Sequence, residues 1–507
     1  MSAGTPPLPG PPQAKALNCP NCGAAITLRS FQQAVTVVCE SCHSILDAKD
    51  PNLQILQKFE VAVGESRPLI PLGTRGKMRG VDYEVIGYQR RSITVEEVRY
   101  SWQEYTLFNP FKGFRYLTEY QGHWNDVVVC KQLPVVNPNL TSSTPATAVY
   151  LGENYRHFQT AEAYTKFVLG EFPWQVRMGE HATATDYVCP PRVLSSEKAG
   201  NEVSWSLGEY MYGVDVWKAF NLPGSPPEAI GVYENQPSPV SANVKAVWAA
   251  FGTFVALLVA LMVFFDVTAR KELVFHSTYE VISGESKAEA SFVTDIFELK
   301  GRTSNVEVTT SANVRNNWIY LNYALINQDT GQAWDFGREV SFYSGYDSDG
   351  SWSEGSDHDS VVVPSVPPGH YYLRIEPETA PVHPPIYYTV DVKRDVPVSM
   401  FFLLAFLALL VPAVLISFRA LAFERSRWSE SDHPPNQTFS IGGRQLMLRK
   451  LYLLYGITVL GGAGFAQYRG MSLDKMTELK NVPKSVRDNP GSYRAVYMGY
   501  HHYTGGK

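Results

Sequence analysis

A chain of 507 residues, 45% apolar and 13% aromatic, is too long for one hydrophobic core and rich enough to fill several. Its 44 basic and 49 acidic residues leave a net charge of -5 and a pI near 6.2, which argues against a nucleic-acid binder that works by neutralising phosphates. Six cysteines in so long a chain exclude a disulfide scaffold.

Residues 1–16 are rich in Pro and Gly and carry neither a charged n-region nor an apolar h-region, so they read as a disordered terminus that starts in the cytosol. A zinc ribbon is expected over residues 17–50. Cys19 and Cys22 are separated by two residues, as are Cys39 and Cys42, and sixteen residues lie between the pairs. Each pair can form a knuckle that aims two sulfurs at one ion; Gly23 relieves the first turn, and "AVTVVC" supplies a strand for the second. Four thiolates complete a tetrahedron, so His43 is not needed as a ligand, and the closed site makes zinc structural rather than catalytic. The alternatives are two disulfides or a redox CxxC; a cytosolic setting favours zinc. The remaining cysteines, Cys130 and Cys189, stand alone and read as inert buried thiols.

The next region, 58–222, reads as all-β. "VDYEVIGYQ" alternates Val81, Tyr83 and Val85 on one face, and "WQEYTLF" and "GFRYLTEY" flank "NPFKG", where Asn109, Pro110 and Gly113 suit a hairpin loop. A second cluster of strands runs from "AYTKFVLGEFPWQVRMGE" to "VSWSLGEYMYG". The stretches "LIPLGTRGKMRGVDYEVIGYQRR", "YSWQEYTLFNPFKGFRYLTEYQGHW" and "HFQTAEAYTKFVLGEFPWQVRMGE" resemble bacterial proteins carrying the domain of unknown function 4178. The resemblance covers roughly Lys58 to Leu222 and includes the closing Gly122, His123 and Trp124. It implies no established activity, and at most an accessory membrane protein encoded near membrane-maintenance and polyamine-type genes.

Catalytic signatures are missing from this region. "LGTRGKM" brings Gly73, Gly76 and Lys77 together without the spacing of a phosphate-binding loop. His123 and His157 lie beside aromatics and read as satisfied structural histidines. The aromatics of "FNPFKGF" read as core, with a peptide-binding face as the alternative.

A Pro-rich linker, 223–243, leads to the first transmembrane helix, 244–266, whose Ala246 to Phe265 is twenty residues without a charge. A second helix, 398–418, is twenty-one residues and equally uncharged. Residues 451–468 are shorter and glycine-rich, giving two to three spans in all, with Arg449, Lys450 and Arg469 placed to snorkel. The loop 419–450 holds Arg419, Arg425, Arg427, Arg444, Arg449 and Lys450, which marks it as cytoplasmic. The N-terminus is then cytoplasmic too, and 267–396 is exported, although the basic residues of the tail 469–507 fit awkwardly with an exported end.

The segment 267–396 is strand-rich and expected to be an extracytoplasmic, jelly-roll-like β-sandwich, "PPGHYYLRIEP" being similar to the closing hairpin of jelly-roll domains. Five carboxylates crowd within it: Asp347, Asp349, Glu354, Asp357 and Asp359. They suggest calcium, against a solvated acidic loop as the simpler alternative. The whole reads as a multi-domain protein of the bacterial cytoplasmic membrane. Its expected role is a non-enzymatic adaptor or envelope sensor with an unidentified protein partner. The alternative is an enzyme or small-molecule-binding protein with an unrecognised site in the cytosolic β-domain.

Overall fold

The computed structural model describes residues 15–30, 33–59, 67–95, 97–138, 145–281, 291–348, 350–380, 385–435 and 448–493. The chain divides into two compact units, Met1–Ala242 with Ser417–Gln445, and Asn243–Ile416 with Leu446–Lys507. The disordered terminus expected over 1–16 lies mostly outside the described residues, and a strand already begins at Lys15.

The first unit opens with a hairpin of β1 (Lys15–Asn18) and β2 (Ala25–Leu28), followed by three short strands, β3 (Thr36–Val38), β4 (Ile45–Asp47) and β5 (Ile55–Gln57). Next come β6 (Arg75–Met78), β7 (Val81–Val95), β8 (Val98–Asn109), β9 (Gly113–Tyr120), β10 (His123–Val129), β11 (Val135–Asn137), β12 (Thr147–Tyr150), β13 (Glu153–Phe172), β14 (His181–Cys189), β15 (Arg192–Ala199) and β16 (Glu202–Met211). Eight of them pair in the order β13-β14-β15-β16-β10-β9-β8-β7, and β7 pairs back onto β13, which closes a barrel. The expected hairpin is present: Asn109 faces Gly113 across the turn, and the Asn109 Oδ1 accepts the N–H groups of Phe111 and Lys112.

Strand alternation assigns the two faces of the barrel wall. On the outside, Tyr105, Leu107, Leu117 and Trp124 pack with Val216 and Phe220 of the short helix α1 (Gly213–Phe220). On the inside, Arg91 of β7 pairs with Glu197 of β15, strands that are not neighbours, so this bridge crosses the lumen. Gly87 lets β7 and β13 close, because a Cβ there would lie 2.3 Å from the Glu171 carbonyl.

In the second unit the strands are β17 (Glu272–Val281), β18 (Phe292–Val293), β19 (Phe297–Leu299), β20 (Ser304–Ala312), β21 (Asn317–Asn327), β22 (Ala333–Asp347), β23 (Gly350–Ser356), β24 (His358–Val366), β25 (Gly369–Thr379), β26 (Ile386–Arg394) and β27 (Thr477–Leu479). One sheet runs β17-β26-β20-β24 and the other is seven-stranded, built on β18-β25-β21-β22-β23. A common core draws Val308, Val363 and Val392 from the first and Leu321, Phe336 and Leu373 from the second. Burying each such side chain contributes about 1.5–3 kcal/mol. The tail beyond residue 469, expected as a separate segment, joins this unit: β27 pairs with β22.

Helices α2 (Ser241–Thr268) and α3 (Ser399–Trp428) are long and apolar enough to cross a membrane. Leu257, Val263, Leu403 and Leu407 are among their exposed residues. α3 continues to Trp428, so Arg419, Arg425 and Arg427 extend a helix where the sequence suggested a loop; Arg444 lies outside the described residues. Helix α4 (Leu448–Arg469) packs on both others within the second unit. Gly456 takes the Phe254 ring, which would lie 2.2 Å from a Cβ at that position. Pro412 in α3 has no N–H to give the Ala408 carbonyl, and the Tyr455 hydroxyl donates to that carbonyl instead, at 3.0 Å.

Candidate functional site

The two CxxC pairs fold into matching knuckles. In the first, Cys19 N–H donates to the Ala24 carbonyl and Gly23 N–H to the Cys19 carbonyl; in the second, Cys39 N–H donates to Ser44 and His43 N–H to Cys39. In both knuckles the residue after the second cysteine is left-handed, with φ of 76° at Gly23 and 57° at His43. A non-glycine residue pays for that backbone, and the His43 ring is held 5.9 Å from both Phe59 and Phe167. The knuckles bring the four sulfurs within 4.8 Å of one another, with Cys19 to Cys42 at 3.6 Å and Cys22 to Cys39 at 3.7 Å. A tetrahedral ion with metal–sulfur bonds of about 2.3 Å sets sulfurs about 3.8 Å apart. The cysteines are free rather than disulfide-bonded, and their arrangement fits one metal ion with all positions filled by protein. Burial pushes the Cys39 thiol up to about 12, so its thiolate depends on a nearby cation.

This cluster is joined to the barrel. Strand β3, which leads into the second knuckle, pairs with β13 from Gly170 to Phe172. Beside it the buried Glu171 carboxylate accepts the N–H groups of Arg29 and Ser30 and the Ser30 hydroxyl, at 2.6–2.8 Å. "GEF" at Gly170 and "GEY" at Gly208 therefore serve different ends: Glu171 anchors the ribbon, while Glu209 pairs with Arg79.

The other sequence candidates are placed as follows. His123 is buried with both nitrogens engaged, by the Tyr210 hydroxyl and the Ile230 carbonyl, and burial lowers its pKa. Cys130 and Cys189 pack beside Tyr150 and Tyr187, and burial raises both thiols. Phe111 is 80% exposed at the hairpin tip, whereas Phe108 and Phe114 pack together. The acidic residues are not gathered around a point. Asp359 is gripped by both arms of Arg338, Asp357 pairs with His358, Asp347 and Glu354 lie on β22 and β23, and Asp349 falls outside the described residues. Among the described residues, the four cysteines are the group close enough to hold an ion.

Residues 71–212 match the family model described as Domain of unknown function (DUF4178). The chain carries a DUF4178 domain. The matched segment holds all eight barrel strands. Curated proteins give no match. Among solved structures, the insecticidal delta-endotoxin Cry8Ea1 of Bacillus thuringiensis aligns at 7% identity over 64% of this chain and 54% of its own, about half its length. Its TM-score of 0.13 carries no argument about fold.

One end of the DUF4178 barrel is closed by segments from outside the family match, and sequence reasoning missed them. From the linker, Tyr233 stacks on His123 with centroids 5.4 Å apart, and Asn235 Nδ2 donates to Asn125 Oδ1 and to the Pro191 carbonyl. From the end of α3, the buried Arg427 donates to the carbonyls of Tyr233, Glu234 and Gln236 and pairs with Glu424. Trp428 packs on Phe158 and under the Arg156 guanidinium, 4.3 Å from its ring centre. Beyond it, Asp432 N–H donates to the Phe158 carbonyl, Thr160 N–H donates to the Asp432 carboxylate, and His433 hydrogen-bonds His157. These bonds fall where β13 bulges between His157 and Gln159, which frees backbone groups for a strap. The sequence showed only a basic run after an apolar helix.

Proposed function

We propose that this chain is a non-enzymatic, membrane-anchored adaptor or sensor of the bacterial cytoplasmic membrane, in which a zinc-ribbon and barrel head is coupled to a β-sandwich through membrane helices. The observation that carries the reading is the strap at Arg427–His433. It continues directly from α3 and is built into the barrel wall, so displacement of that helix is passed to the DUF4178 domain without a flexible tether.

Zinc is the ion chosen for the ribbon because closed four-thiolate sites of this spacing suit it, and the reducing cytosol keeps such thiolates available. The sandwich reading is supported by the core that both sheets of the second unit share. The exposed apolar surfaces of α2 and α3 support insertion in lipid. A third crossing is supported by chain parity. If α2 crosses outward and α3 returns, α4 has to cross again for β27 to reach β22. Calcium forms no part of this reading, since Arg338 already occupies the Asp359 carboxylate.

The test is crosslinking in native membranes followed by identification of what copurifies. A discrete stoichiometric protein partner is expected, and its loss is expected when Trp428→Ala and Asp432→Ala detach the strap. Turnover of a metabolite with no partner would replace the adaptor with the enzyme reading.

A further inference from the structure

The turn between β12 and β13 breaks two local rules at once. It is a two-residue turn, Tyr150 facing Glu153, with Leu151 and Gly152 both left-handed at φ of 49° and 80°. Such a turn favours Asn or Asp before the glycine, because their short polar side chains tolerate the left-handed backbone. Leu151 is also 68% exposed, so neither backbone nor burial accounts for it. Leu133 stands beside it and is 80% exposed: the neighbouring Tyr150 hydroxyl meets the backbone of Lys131 and Gln132. β11 adds the exposed Val135 and Val136, paired with Val149 and Ala148 of β12.

The place of this turn in the barrel says what covers it. β13 and β10 run in the same direction, so the turns that precede them, at Leu151–Gly152 and Gln121–Gly122, share one end, the end closed by the linker and the strap. The Asn109–Gly113 turn, with Phe111 at its tip, lies at the other end. Trp428 lies under Arg156 and Asp432 beside Thr160, so the strap runs down β13 away from the turn, and α3 arrives from the turn's side. From the contact of Trp428 with Phe158, α3 climbs about 15 Å to Phe418, where its uncharged run ends. From the same contact β13 and its turn climb about 23 Å to Leu151, or about 16–19 Å along the barrel axis at the usual strand tilt. The hairpin tip and the end of the apolar helix therefore reach one level. All of these residues belong to the first unit.

Two further features select lipid over another protein strand. Pro134 and Pro138 flank β11 and have no N–H to donate, which opposes strand addition at that edge. Glu153 is paired with Arg192 while Lys131 is exposed, so the tip offers apolar side chains together with a basic one, which suits headgroup phosphates.

We propose that the β12–β13 turn of the DUF4178 barrel rests on the bilayer, with Leu151 and Leu133 in the boundary between headgroups and acyl chains. This contact depends on the membrane reading above and gives the head a second hold on the lipid, apart from the helices. β13 then carries three joints: the lipid contact at its start, the strap at Phe158–Thr160, and the ribbon at Gly170–Phe172. A shift of the tip against the lipid is passed along one strand to the other two.

The experiment is photocrosslinking of the full chain in nanodiscs of phosphatidylcholine and phosphatidylglycerol. p-Benzoylphenylalanine replaces Leu151, Leu133, Phe111 or Leu407 singly, and lipid adducts are measured by intact mass. Phe111 is as exposed as Leu133 but sits at the far end of the barrel, and Leu407 is an exposed residue of α3. Adducts at Leu151 and Leu133 are expected to exceed those at Phe111 at least fivefold. Leu151→Asp, which suits the left-handed turn, should lower the adduct at Leu133 at least threefold. Yields at Leu151 and Leu133 no higher than at Phe111, an adduct of dimer mass in place of lipid, or an unchanged yield in Leu151→Asp overturns the inference. Leu407 separates the two failures: lipid adducts there leave the membrane reading standing when the turn is unlabelled, and their absence removes both.

Discussion

His43 shows how much a single backbone angle can conceal. Its position matches Gly23, and the second knuckle needs the same left-handed turn, yet the sequence offers a histidine that reads as a spare ligand. The ring instead packs between Phe59 and Phe167, which joins the metal site to the barrel. Because β3 continues onto β13, metal loading is expected to be felt beyond the ribbon. Purified, reduced full-length protein should carry one zinc per chain. Cys39→Ser should remove it, along with most of the folding energy that a structural zinc supplies, which is on the order of 10 kcal/mol. Hydrogen exchange should then quicken at the ribbon and at Gly170–Phe172, where the pairing is shared. Metal analysis that finds no zinc in the reduced protein would end the assignment.

Among the elements, α3 carries a defect that α4 repairs. Pro412 leaves the Ala408 carbonyl without its helical donor, a cost that hydrocarbon surroundings would not relieve, and Tyr455 supplies the hydroxyl. Tyr455→Phe should therefore destabilise the helices by roughly 0.6–1.7 kcal/mol, the range for hydrogen bonds between membrane helices. In a Pro412→Ala background the same substitution should cost almost nothing, because residue 412 regains its N–H. Unfolding in detergent with both single variants and the double variant reads this coupling; equal costs in the two backgrounds would show that the hydroxyl does not serve the proline break. The strands were easier to anticipate than this contact. Alternation in "VDYEVIGYQ" and the turn chemistry of "NPFKG" are local, and the observed β7, β8 and β9 follow from them. Closure of the barrel by β7 and β13, the ribbon's attachment through Glu171, and the strap at Asp432 all join residues far apart in sequence, with no periodic signal to announce them. The acidic run is the opposite case. Its carboxylates are close in sequence, but among the described ones Asp359 pairs with Arg338 and Asp357 with His358, while Asp347 and Glu354 lie on the paired strands β22 and β23.

For the whole molecule, the decisive piece is again a long-range pairing. The sequence left the third span undecided because Leu451–Ala466 is short and basic residues follow it. The three-residue strand β27 bears on both points. It adds Thr477–Leu479 to the sheet that lies, in chain order, between α2 and α3. If the chain spans a membrane as proposed, a tail that belongs to that sheet requires an odd number of crossings, and α2, α3 and α4 would be the three. Basic residues in the tail do not forbid export, since the positive-inside rule weighs short loops and a folded domain translocates largely regardless of its own charge. Alkaline-phosphatase and fluorescent-protein fusions after Val240, Glu376 and Asp432 are expected to report inside, outside and inside. A fusion at Lys507 is expected to report outside. An inside signal at Lys507 with the other three unchanged would mean that α4 does not cross and that β27 cannot pair with β22 in the native membrane. Reversal of all four would expose the cysteine cluster to an oxidising compartment and remove the case for zinc.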